Sequence, residues 1–170
     1  MQEGVHEFLL MGPSVVKGDM SVPIIQTFFD EQGAVIVPAK TSTAIGGQCT
    51  KKDNDCRGKE IRDSRYNDMK ASMYLLGNAF RTDQQKPPDR LPTVKAAKAF
   101  FKEMDEMQKI VTKKAGANMS PAQSEAAQQR YLAALDILDQ YLDLVELPPT
   151  DSGHYDQEFD TLVGETARIT

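Results

Sequence analysis

Leu91–Lys114 reads LPTVKAAKAFFKEMDEMQKIVTKK, and its two sides decide the fold. Ala97, Phe100, Phe101, Met104, Met107 and Val111 recur at helical spacing along one side. Lys95, Lys98, Lys102, Lys109 and Lys113 follow another, within an arc of about 60° when each residue turns ~100°. Glu106 lies inside the lysine stripe, in reach of Lys102 and Lys109. Pro92 suits a first helical turn, and Gly116 falls just past the end. Such a helix buries its apolar side only if neighbours cover it.

Two neighbours follow the same logic. Ser120–Leu147 opens with Ser120 as N-cap, Pro121 as first helical residue and Gln123 at the third position, a capping box. Tyr131, Ala134, Leu135, Ile137, Leu138, Tyr141, Leu142, Leu144 and Val145 form an apolar arc wide enough for more than one partner. Glu125, Asp136, Asp139, Asp143 and Glu146 make the opposing acidic stripe. Upstream, Lys59–Arg81 reads as a helix through Ile61, Met69, Met73, Leu76 and Phe80, ended by the tandem Pro87-Pro88.

The first 58 residues show Gly, Pro and Thr among short apolar groups, without a sustained period. Val22–Glu31 predicts a short helix, Gly33–Pro38 a strand or extended strap, and Lys40–Gly58 a loop. Thr150–Thr170 reads as an acidic extended tail. The expected fold is all-α: an up-down four-helix-type bundle of three long helices plus one short, with a long irregular N-terminal arm and an extended C-terminal tail. The boundaries are 1–58 for the arm, 59–147 for the bundle core and 148–170 for the tail.

The net charge of −5 divides unevenly: residues 1–58 sum to −2, 59–114 to +5 and 115–170 to −8. An acidic whole with a basic middle excludes general nucleic-acid binding and suits oriented docking on a larger charged partner. With a mean hydropathy of −0.47 and no long apolar run, the chain lacks a transmembrane helix, which needs about 20 apolar residues. Met1-Gln2-Glu3-Gly4 has no signal-peptide features, so the chain is expected to be either unexported or already processed.

Motifs for catalysis are missing. There is no Gly-rich phosphate loop, nucleophile elbow, His-Glu-x-x-His or repeated Glu-x-x-His. Asp53-Asn54-Asp55 begins like a calcium loop, but Arg57 and Ser64 occupy ligand positions. Met69, Met73, Met104 and Met107 fit core packing. His6 and His154 are expected to be solvated near flexible ends, so no metal, cofactor or catalytic residue is assigned. Cys49 and Cys56 bracket a polar stretch that suits a local disulfide, contributing roughly 2–3 kcal/mol in an oxidising compartment. The alternative is two reduced surface thiols.

The stretch from Tyr66 to Leu147 resembles the PsbQ-like family of extrinsic photosystem II subunits. The likeness rests on Asn67-Asp68-Met69 and Ala71-Ser72-Met73-Tyr74-Leu75, then Phe101–Lys114, then Ser120-Pro121, Glu125, Tyr131 and Ala134–Leu142. The resemblance implies a four-helix bundle in the chloroplast thylakoid lumen, peripheral to the membrane through protein contacts. Such subunits have no chemistry of their own. They cap the oxygen-evolving complex, help it retain calcium and chloride, and dock on photosystem II lumenal subunits partly through lysines. The matching lysines here are Lys95, Lys98, Lys102, Lys109 and Lys113. The Cys pair, the acidic tail and the short first helix imply a divergent or algal-type relative.

On this reading the arm around Ile24-Ile25 and Ala34–Val37 packs along the partner as a strap. A rival class is a soluble helical protein that holds a small apolar ligand between its Met- and Phe-rich faces. An enzyme ranks third, since no pair of polar groups supplies nucleophile and base.

Overall fold

The structure, a computed structural model, describes residues 1–29, 35–38, 59–62, 64–80, 87–112 and 119–157. Helices carry the fold: α1 (Gln2–Val16), α2 (Pro23–Phe29), α3 (Arg65–Ala79), α4 (Pro92–Thr112) and α5 (Pro121–Leu144). A short 3-10 turn, Pro88–Arg90, precedes α4. Strands β1 (Val35–Pro38) and β2 (Lys59–Arg62) pair antiparallel, with Ile36 opposite Ile61 and Pro38 opposite Lys59.

α4 and α5 form where their patterns place them. The whole expected apolar face of α4 is buried. The Ser120 side chain accepts from the Gln123 N–H and the Gln123 side chain accepts from the Ser120 N–H, completing the capping box. Both meet donors that a helix start leaves orphaned.

Several expectations are corrected. Gln2–Val16 is a regular helix rather than an irregular arm, and Val5, Phe8, Met11 and Val15 lie fully in the core. Its end is closed by bonds from Gly18 N to Val15 O and from Asp19 N to Ser14 O, with Gly18 at φ +78°. That is a Schellman motif, in which glycine takes the left-handed position at little cost. Secondly, α3 starts six residues later than expected. Lys59–Arg62 gives its main chain to the ribbon, and Ser64, itself extended, caps the helix by accepting from the Asn67 N–H at 3.0 Å. Thirdly, Ile25 is buried in the chain's own core, and Val35–Val37 lies in the ribbon, so neither is a free strap.

Thr150–Gln157 forms turns rather than an extended tail, and Tyr155 is 1% exposed against the core. The turn is anchored where Thr150 donates through its N–H and hydroxyl to Asp139 at 2.8 and 3.0 Å.

Aromatic contacts cross every helix. Tyr131 of α5 stacks on Phe8 of α1 at 4.7 Å, and Phe8 meets Phe100 of α4 edge-on at 5.4 Å. Phe100 contacts Phe101, Phe101 contacts Tyr66 of α3, and Tyr66 contacts Phe29 of α2. Ring pairs at these separations add about 0.5–1.5 kcal/mol beyond area burial. The buried phenols of Tyr131 and Tyr141 find main-chain acceptors on other helices, donating to Phe8 O and to Met73 O. The hydroxyls therefore pin neighbouring helices without leaving a polar group unpaired.

The order of contacts gives directions. From Phe8 to Val16 to Gly18, α1 and its cap meet Tyr131, Gln128 and Ser124 in turn, so α1 runs antiparallel to α5. Tyr66 meets Phe101 while Thr93 donates to Gly77 O, so α3 and α4 are antiparallel too.

Candidate functional site: the lysine ridge of helix α4

α4 turns Lys95, Lys98, Lys102 and Lys109 to solvent, opposite the face carrying Phe100, Met104 and Met107. These lysines do not all carry free charge. Lys98 Nζ donates to Asp89 at 2.6 Å, and Lys109 Nζ pairs with Glu106 at 2.5 Å. Lys95 and Lys102 form no ion pair among the described residues, so they are the cations most open to a partner. Lys113 lies outside the described residues, as do Cys49 and Cys56.

The local electrostatics follow from these pairs. The hydrogen bond to Asp89 holds the Lys98 ammonium above the usual lysine range, and the bond from Lys109 holds the Glu106 carboxyl below the usual carboxylate range. All of these groups are solvated, so the pairs are screened and act on orientation more than on stability. Glu106 was expected to reach both Lys102 and Lys109; its ion pair is with Lys109. Asp89 was missed, because it sits in the 3-10 turn nine residues before Lys98 and no helical period joins them.

At the ridge's flank, Arg130 of α5 donates to Glu103 at 2.7 Å. On the opposite side of α4, the Tyr66 hydroxyl donates to Asp105 at 2.5 Å, with Lys70 Nζ 3.5 Å from the same carboxylate oxygen. Lys70 also sits 5.3 Å from the centroids of both Tyr66 and Phe101, a cation–π position. Burial, then the Asp105 carboxylate, pushes the Tyr66 phenol far above its usual range. Tyr66 is a donor here and not a proton source.

The acidic stripe of α5 is less uniform than its spacing suggests. Glu125, Asp136 and Asp143 are exposed, but Asp139 is committed to Thr150 and Glu146 lies beyond the helix at φ 58°. His6 and His154 are not solvated ends. His6 is 7% exposed and its Nδ1 lies 2.6 Å from the Tyr155 carbonyl oxygen, while His154 Nε2 lies 3.2 Å from Gln2 Nε2.

Set against known proteins, the chain matches no family model, no curated protein and no solved structure. Among the described residues no helix is long and apolar enough to cross a membrane.

Proposed function

We propose that the chain is a non-catalytic docking subunit of the extrinsic photosystem II kind, held on the lumenal face where it steadies the oxygen-evolving complex and its calcium and chloride. The observation that carries this reading is the lysine ridge. A helix that spends its whole apolar face on the core still presents Lys95 and Lys102 as unpaired cations among the described residues. The resemblance over Tyr66–Leu147 supplies the class of partner. α1 adds support, because it is a further helix ahead of α3, where the resemblance asks for one. With α3, α4 and α5 it completes an up-down four-helix bundle on this reading.

The apolar-ligand reading has less to stand on. The Met and Phe faces it relies on fill one another, with Phe100, Met104 and Met107 each 0% exposed.

The test is isolation of the native protein in mild detergent followed by washes of increasing salt. Docking predicts co-migration with photosystem II, release by salt, and loss of oxygen evolution restored by calcium or chloride. Lys95→Glu with Lys102→Glu should weaken rebinding and flatten its salt dependence. A protein that co-migrates with nothing, or a complex indifferent to molar salt, overturns the reading.

A further inference from the structure

The outer face of the α4–α5 pair carries its own complement. Arg130 meets Glu103, while Tyr141 and Thr93 both reach the α3 main chain, at Met73 O and Gly77 O. α4 and α5 are therefore antiparallel. With each residue turning about 100°, the lysine ridge edges this face on α4 and the acidic stripe edges it on α5. Between the edges lie Ala99 and Ile110 of α4 and Ala126, Ala133, Ile137 and Leu144 of α5. Leu144 is 39% exposed, and the others are half-buried. Glu103 and Arg130 neutralise each other there, as Glu106 and Lys109 do.

The two edges stand apart within one chain. Arg90 and Lys95 on the basic side, and Glu125, Asp136 and Asp143 on the acidic side, are exposed and form no ion pair among the described residues. Their heights nevertheless correspond. Counted from the Glu103–Arg130 bond along antiparallel helices, Lys95 stands level with Leu138, Lys109 with Ser124 and Arg90 with Asp143. Asp136 and Glu125 lie within two residues of the first two heights, about 3 Å of helix rise.

We infer that this face is a dimer surface for a second copy of the chain. A two-fold axis parallel to the helices preserves height and exchanges the edges, so each α4 lies antiparallel over the α5 of the other copy. Lys95 then faces Asp136 of the second copy, Lys109 faces its Glu125 and Arg90 its Asp143, and each pair is made twice. The aliphatic band meets itself in the middle, which gives the apolar centre and charged rim of a protein interface. Two helices about 30 Å long and ~10 Å wide offer roughly 600 Å² per copy, about 1,200 Å² in all, the low end for a specific dimer. The charges set register and partner, and the association is weak. Lys102 falls opposite Gln129 and stays open to another partner, so the inference stands apart from the docking reading.

Sedimentation velocity on the purified full chain, from about 1 to 300 μM, tests it. The expected result is a reversible monomer–dimer equilibrium with a dissociation constant on the order of 10–100 μM, weakened roughly tenfold or more by molar salt. Glu125→Lys with Asp136→Lys sets like charges against Lys109 and Lys95 and should leave the chain monomeric over that range. Adding Lys95→Glu and Lys109→Glu to the same chain should restore the dimer. Asp151→Lys with Asp156→Lys makes the same change of net charge in the turn after α5, outside the face, and should leave the dimer intact. Helical circular dichroism checks that each variant is folded. A wild type monomeric throughout, a folded charge-swapped chain that stays monomeric, or equal weakening by the two acidic pairs overturns the proposal. Assemblies that grow past the dimer, as an open head-to-tail contact gives, overturn it too.

Discussion

The Nδ1–H of His6 donates to the main-chain oxygen of Tyr155 across 2.6 Å, joining the second turn of α1 to a residue 149 positions later. Gln2 and His154 meet beside it, and the Tyr155 hydroxyl donates to Pro148 O at 2.9 Å. The turn after α5 is thus a clasp on α1, and its anchor is one buried ring.

Tyr155→Ala should destabilise the fold by about 3–5 kcal/mol, the usual cost of emptying a large aromatic site. Tyr155→Phe removes the hydroxyl's bond to Pro148 and should cost about 1 kcal/mol. Urea unfolding checks both. Near-equal midpoints for the wild type and the alanine variant would show that the clasp contributes nothing.

Two helical glycines should respond oppositely to alanine. A Cβ on Gly4 would stand 2.8 Å from the Met69 Cβ, an atom fixed to the α3 backbone, so Gly4→Ala should cost about 1–3 kcal/mol. A Cβ on Gly77 meets Thr93 at 3.4 Å, ordinary contact, so Gly77→Ala gains helix propensity worth up to about 1 kcal/mol. Thermal unfolding of the pair separates them by sign.

Glu146 closes α5 at φ 58°, where Leu147 N bonds to Leu142 O and Glu146 N to Asp143 O. A side chain there carries left-handed strain of about 1–2 kcal/mol, and a glycine avoids it at some cost in unfolded-state entropy. Glu146→Gly should therefore stabilise the protein by roughly 0.5–1 kcal/mol. A lower melting temperature would mean that the carboxylate contributes more than the strain costs.

Burial raises the phenols of Tyr66, Tyr131 and Tyr141, and Asp105 adds to the effect at Tyr66. Above pH ~10 an unfolded tyrosine releases its proton while these retain theirs. The native state then binds more protons, so stability falls as pH rises through that window. The bulk of the phenolate absorbance should appear together with loss of helical circular dichroism. Phenolate formed first in a fully helical chain would contradict the burial of these rings.

α4 and α5 were legible because their information is local: Phe100, Met104 and Met107 repeat within one helix, and Ser120, Pro121 and Gln123 form a cap within four residues. α1 was not, because Gly4, Gly12 and Pro13 look like helix breakers. Gly4 and Gly12 are there for close approach instead, to Met69 and to the Tyr131 hydroxyl, both on other helices. Its spacing of Val5, Phe8, Met11 and Val15 was the available signal. β2 escaped for a similar reason. Ile61 fits a helical period, but its strand is set by pairing with Val35–Pro38, which no local pattern encodes. The lysine ridge was readable by position but not by pairing, since Asp89 and Lys98 share no helical period.

The aromatic contact between Phe8 and Tyr131 spans 123 residues, and the His6 bond spans 149. A ribosome adding about 5–20 residues each second needs roughly 7–30 s to cover the longer distance. Until then Phe8 lacks its Tyr131 stack and His6 its Tyr155 acceptor, and α1 has α2, α3 and α4 to pack against. α1 therefore completes its burial late, and the native core waits on synthesis of α5 and the turn behind it.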